Sequence, residues 1–114
     1  MLIAQITDLH LGVTVDVDGR AIDTTEGARR AVAHLNALSP SPHAVVVTGD
    51  LVAEERLDHY VSVARVLGEL TMPAYLIPGN HDDRALMREV FGEHGYLPAD
   101  ADFLHYTVET FVLR

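Results

Sequence analysis

Cysteine is absent from the 114 residues, which removes disulfides and thiolate metal sites from consideration without fixing the compartment. Basic residues are scarce: 8 Lys and Arg stand against 17 Asp and Glu, a formal net charge of −9. That balance argues against non-specific attachment to nucleic acid or to an anionic membrane, both of which favour a basic surface; neither is expected as a partner. Some of the acidic excess can be neutralised by bound cations. No apolar run approaches the roughly 20 residues of a membrane span. The N-terminus carries no basic leader or cleavage site and reads directly as a core strand, so the expected location is cytoplasmic. Internal repeats, low-complexity tracts and interdomain linkers are missing as well. What remains, 48% hydrophobic and 22% charged residues, is the make-up of an ordinary globular protein, with length for one core and not two.

The apolar runs alternate with helical patterns. Leu2 to Ile6 and Ala44 to Val47 are short, continuous and apolar, the pattern of parallel strands buried on both faces. Ala74 to Ile77 forms a third such run. Residues 11–22, with Gly12, Gly19, Asp16 and Asp18, read as a surface loop. Asp16-Val17-Asp18-Gly19 has the opening of a calcium loop but lacks its terminal Glu and flanking helices, and reads better as a turn. A helix capped by Thr24 or Thr25 carries Ala28, Ala31, Val32, Leu35 and Leu38 on one face, and Ser39-Pro40-Ser41-Pro42 ends it. A second helix runs from about Asp58 to Leu70 with Val61, Ala64, Leu67 and Leu70 on one face, and a third begins at Asp82 or Asp83 with Leu86, Val90 and Phe91. This βαβαβα order predicts an α/β fold with a parallel sheet. Residues 103–108 and 111–113 read as two short strands of a second sheet. The chain stops within that apolar run, so it is expected to be part of a larger fold. Open sheet edges then favour homo-oligomers.

Chemistry-bearing residues sit where the strands end, the place where open α/β sheets gather functional groups. Thr7-Asp8-Leu9-His10 follows the first strand, Thr48-Gly49-Asp50 the second, and Pro78-Gly79-Asn80-His81-Asp82 the third. In extended chain, Asp8 and His10 point the same way, so one carboxylate and one imidazole can share an ion while Leu9 faces the core. Asp50 brings a second carboxylate able to bridge two cations, and Asn80 an amide oxygen. A mixed O and N set favours Mn, Fe, Zn or Co. Two such cations about 3.5–4 Å apart can clamp a phosphate and activate a water for in-line attack. His81 fits a role toward the substrate, in charge stabilisation or leaving-group departure. Asp82 fits a supporting place behind the ligands. Singly, Asp-x-His and Gly-Asp are ordinary turn chemistry; the ordered triple is what carries the signal. His34, His43, His59, His94 and His105 are assigned no role.

With Asp8-Leu9-His10, Gly49-Asp50-Leu51 and Gly79-Asn80-His81-Asp82 each following a strand, the chain resembles the calcineurin-like metallophosphoesterase superfamily over nearly its whole length. Ala44 to Asp50, Pro73 to Asp83 and Leu35-Asn36-Ala37-Leu38 look most like its bacterial cyclic-nucleotide and glycerophosphodiester phosphodiesterases. The resemblance implies that Asp8 and His10 bind one metal, Asp50 bridges, Asn80 binds the second, and His81 serves a small phosphodiester substrate. It also implies that residues 1–114 are the N-terminal half of a metallophosphoesterase α/β sandwich, a single domain truncated after its first half. The family pattern continues with a later His and a Gly-His-x-His block that complete the metal shells, and His94 and His105 do not stand in that context. The isolated chain is therefore expected to be inactive. A non-catalytic fragment and a degenerate binding or scaffold protein stay open as alternatives.

Overall fold

A computed structural model of the chain describes residues 1–80 and 82–92. Along it run β1 (Ile3–Ile6), β2 (Thr14–Val17), β3 (Arg20–Asp23), α1 (Thr24–Ala37), β4 (Ala44–Thr48), α2 (Leu57–Leu67), β5 (Ala74–Ile77) and α3 (Arg84–Phe91). The two strands expected over 103–108 and 111–113, and His81, His94 and His105, lie outside the described residues.

Three strands form a sheet in the order β1-β4-β5, both pairings parallel. Parallel neighbours need a crossover, and α1 and α2 supply the two. Both crossovers step in the same direction across the sheet, so their common right hand puts both helices on one face. That face is the core. Val45, Val47 and Leu76 are buried there against Val32 and Leu35 of α1, Tyr60, Val63, Val66 and Leu67 of α2, and Met87 and Phe91 of α3.

The other face is open among the described residues, which corrects the expectation that the first strand is buried on both sides. Ile3 is 53% exposed and Ile77 42%, whereas Val45 and Val47 are at 0%. Strand residues alternate between faces, and the described helices cover only one of them.

Residues 11–22 are not a plain loop. β2 and β3 pair antiparallel from Thr14↔Asp23 to Val17↔Arg20, a hairpin closed by Asp18 and Gly19. Both have positive φ, +52° and +79°, as a type I′ turn demands. The Asp16 carboxylate accepts from the Gly19 N–H at 2.9 Å, so the acidic side chain that suggested a calcium loop fastens the turn.

Helix ends also differ from expectation. Asp23, not Thr24 or Thr25, caps α1, accepting from the Thr25 N–H at 2.9 Å. Thr24 instead exchanges hydrogen bonds with the backbone of Val13. Asp58 does not cap α2, which begins one residue earlier; its carboxylate takes a two-pronged contact from Arg56 at 3.1 and 3.2 Å. The helix stops at Leu67, where Gly68 ends it, rather than at Leu70. Its buried face is turned relative to the expected one: Tyr60 and Val63 go inside and Val61 stays exposed. No helix of the described residues is long and apolar enough to cross a membrane.

Asn36 ties the layers together. Its amide nitrogen donates to the Glu69 carbonyl at 2.8 Å, and its oxygen accepts from the Thr71 N–H at 2.9 Å and hydroxyl at 3.2 Å. These bonds join α1 to the segment leading into β5. Replacing Asn36 by Ala leaves the Glu69 carbonyl without its donor and the Thr71 N–H and hydroxyl without their acceptor. The expected loss is on the order of 2 kcal/mol, read as a lower urea midpoint; an unchanged midpoint would show that water replaces the bridge without cost.

Candidate metal centre

The chains leaving β1 and β4 stay side by side beyond the sheet. The Asp8 N–H donates to the Gly49 carbonyl at 3.1 Å, His10 to Asp50 at 3.0 Å, Leu11 to Leu51 at 3.0 Å, and Ala53 to Leu11 at 2.8 Å. This run of backbone bonds fixes the loop that carries Asp8 and His10 against the loop that carries Asp50. Leu9, between the two, packs partly buried on the core.

Asp8, His10 and Asp50 are brought together: each offers a ligand atom within 4.8 Å of the others. Nε2 of His10 stands 3.5 Å from Oδ1 of Asp8. They do not meet by the expected extended-chain alternation. Asp8, His10 and Asp50 have φ of +57°, +43° and +50°. The left-handed region costs a side-chain-bearing residue about 1–2 kcal/mol, and strain of this kind gathers where function holds it. Three such residues fall within one cluster, held there by the backbone bonds between the two loops.

The electrostatics suit a cation. The Thr7 hydroxyl lies 2.8 Å from Oδ2 of Asp8 and 3.1 Å from the Thr48 carbonyl. That contact is the chief cause holding the Asp8 carboxyl below its ordinary value, against some desolvation and with help from His10. Asp8 is therefore ionised throughout the neutral range. Donors on one ion with bonds of about 2.0–2.2 Å stand roughly 3–4 Å apart, a spacing the Asp8–His10 pair already has. An open cleft lined by His10, Val52, Ala53, Glu54 and Glu55 adjoins the cluster. Its two glutamates would repel a bare phosphate and favour a cation.

The third strand end closes against the second. A Cβ at Gly79 would run into Oδ1 and the backbone nitrogen of Asp50, and one at Gly49 into the backbone of Gly79. Only glycine at both positions allows this approach. Asn80 follows directly and is exposed, one residue from the Asp50 contact. Asp82 is buried at 8% exposure. Its carboxylate accepts from the Leu51 N–H at 3.0 Å, the Gly79 N–H at 2.8 Å and the Tyr60 hydroxyl at 3.1 Å. Among the described residues, then, it holds backbone and a phenol rather than an imidazole. Tyr60 and Thr7 were not picked out from the sequence. Tyr60 lies i−3 and i−7 from Val63 and Leu67, a helical spacing that marks core and gives no hint of its hydroxyl's partner.

Residues 1–113 match the family of calcineurin-like phosphoesterases. The chain belongs to that family. It is 37% identical to a glycerophosphodiester phosphodiesterase of Enterobacter lignolyticus over 115 aligned residues, covering 100% of this chain and 41% of the relative. It is 33% identical to a 3′,5′-cyclic-nucleotide phosphodiesterase of Nostoc over 88 residues, 77% of this chain and 33% of that protein. A 3′,5′-cyclic adenosine monophosphate phosphodiesterase of Pseudomonas aeruginosa matches at 27% over 88 residues, 77% of this chain and 32% of the relative. The chain spans about two fifths of the length of the first of these relatives. Calcineurin-like phosphoesterases use divalent metal ions. The cluster in this member fits one, with two carboxylates and an imidazole, all hard or borderline donors, already gathered.

Proposed function

We propose that the protein is a phosphodiesterase working with two divalent cations, Mn, Fe, Zn or Co, and that this chain supplies some of their ligands. Asp8 and His10 hold one ion, Asp50 reaches both, and Asn80 gives its amide oxygen to the second. When bound, such cations supply Lewis acidity toward a phosphoryl oxygen and lower the pKa of water. The chain's own part is to fix the donors before substrate arrives, so that no reorganisation is needed during reaction. His81, directly after Asn80, is assigned to the substrate, stabilising charge or assisting the leaving group. The relatives' names direct the substrate class to small phosphodiesters, cyclic nucleotides or glycerophosphodiesters. The observation that carries this reading is the meeting of Asp8, His10 and Asp50 from two different strand ends, all in left-handed backbone.

The test is hydrolysis of bis(p-nitrophenyl) phosphate by the full-length protein supplied with manganese, and of 3′,5′-cyclic AMP and a glycerophosphodiester beside it. Turnover is expected, with a loss of about 100-fold or more after chelation that returns on adding metal back. Residues 1–114 alone are expected to give none. A full-length protein without turnover on any of these diesters, with each of the four metals, would overturn the proposal.

A further inference from the structure

We propose that Tyr60, buried on α2, is a positioning residue of the metal centre: its hydroxyl orients Asp82, and Asp82 sets the separation of the loops that carry Asp50 and Asn80. The inference rests on reading those two residues as ligands.

The chain of contacts is short. Tyr60 is at 0% exposure, its ring within the hydrophobic core. Its hydroxyl donates to Oδ1 of Asp82 at 3.1 Å and accepts from the Asp83 N–H at 2.7 Å. Burial pushes the phenol's pKa up, so it stays a donor across any working pH. Asp82 then spends its two oxygens on two different loops. Oδ1 takes the Leu51 N–H, next to Asp50, and Oδ2 takes the Gly79 N–H, next to Asn80. One planar carboxylate thus spans the two loops, and its bite fixes how far apart they sit. Both loops lie outside the strands and helices, whereas Tyr60 belongs to a helix. Among the described residues, the phenol is the one partner of Asp82's side chain that comes from outside those loops, so it refers their spacing to α2. Outer partners of this kind decide how well ligands are presented.

Manganese binding to the full-length protein, followed by the loss of the free ion's electron paramagnetic resonance signal, tests this without relying on turnover. Tyr60→Phe keeps the ring and its packing. It is expected to weaken manganese binding by about 10-fold, the lower end for loss of an outer partner. Val63→Ala, one helical turn on, removes buried methyls of the same core. It is expected to lower the melting temperature at least as much while leaving manganese affinity within about 2-fold. Combining Tyr60→Phe with Asp82→Asn is expected to weaken binding no further than Asp82→Asn alone, because both cut one chain of contacts. Wild-type binding with an unchanged Tyr60→Phe isotherm, or fully additive losses, would overturn the role of Tyr60 and leave the metal centre standing. A wild-type protein that takes up no manganese would instead bring down the metal-centre reading, and this inference with it.

Discussion

Asp50→Asn in the full-length protein is expected to lower kcat/KM for bis(p-nitrophenyl) phosphate by about 100-fold or more, equivalent to about 2.7 kcal/mol of transition-state stabilisation. Loss of an outer partner already costs about 10–100-fold in such centres, and Asp50 is proposed as a direct ligand. Asparagine is the informative replacement because it removes charge and little else. It tolerates the left-handed backbone at φ +50°, and the Asp50 carbonyl that accepts from His10 is untouched. The same substitution has the opposite sign in metal-free protein. Asp8 and Asp50 bring two carboxylates into one cluster, and like charges at that range oppose each other. With chelator present, Asp50→Asn should therefore leave the melting temperature unchanged or raise it. A catalytic loss without a stability loss is the signature of a group kept for function. Activity within about 10-fold of wild type would mean that Asp50 binds no essential ion.

Part of this centre could be seen in the chain before any coordinates. Strands ending near Ile6, Thr48 and Ile77 are marked by apolar runs that break abruptly, and the ligand-type residues follow each break, so the parallel sheet and the loops that carry Asp8, His10 and Asp50 were legible. Information that lives in one stretch of chain was readable; information that lives between stretches was not. The left-handed backbone at Asp8, His10 and Asp50 is imposed by the backbone bonds between two loops some 40 positions apart in sequence, such as Asp8 to Gly49 and His10 to Asp50. The hydrogen bonds of Asp82 reach Leu51 and Tyr60, 31 and 22 residues away. Burial of Tyr60 rather than Val61 follows from where α2 begins, and that start carries no side-chain cap to announce it. The hairpin at residues 14–23 is a different kind of miss. Asp18-Gly19 is a strong local signal for a tight hairpin turn, but the density of Asp and Gly around it reads as loop, and its valines are too exposed to define a core face.

Gly49→Ala should be the most damaging single methyl in the described chain, with an expected loss of about 3 kcal/mol or more in folding stability. Two costs add there. Gly49 sits at φ +93°, where a side chain is strained by about 1–2 kcal/mol. The new Cβ would also strike the backbone nitrogen and Cα of Gly79 and come to 3.1 Å from the carbonyl carbon of Pro78. Backbone cannot swing aside as a side chain can, so relief requires the two loops to part, at a further cost of about 1–3 kcal/mol. Gly19→Ala separates the two contributions. Its φ is +79°, yet nothing lies within 4 Å of the added atom, so it should show the backbone strain alone, about 1 kcal/mol. Gly92→Ala, with open space and an ordinary φ of −60°, should be nearly neutral. The damage at Gly49 should also reach the metal, since parting the loops breaks the Asp82 span from Leu51 to Gly79 and moves Asn80 away from Asp50. Urea unfolding of the three variants, with manganese affinity measured on each, checks this. Equal losses for Gly49→Ala and Gly19→Ala would show that the close approach of the two loops contributes nothing, and that the second and third strand ends are free to move apart.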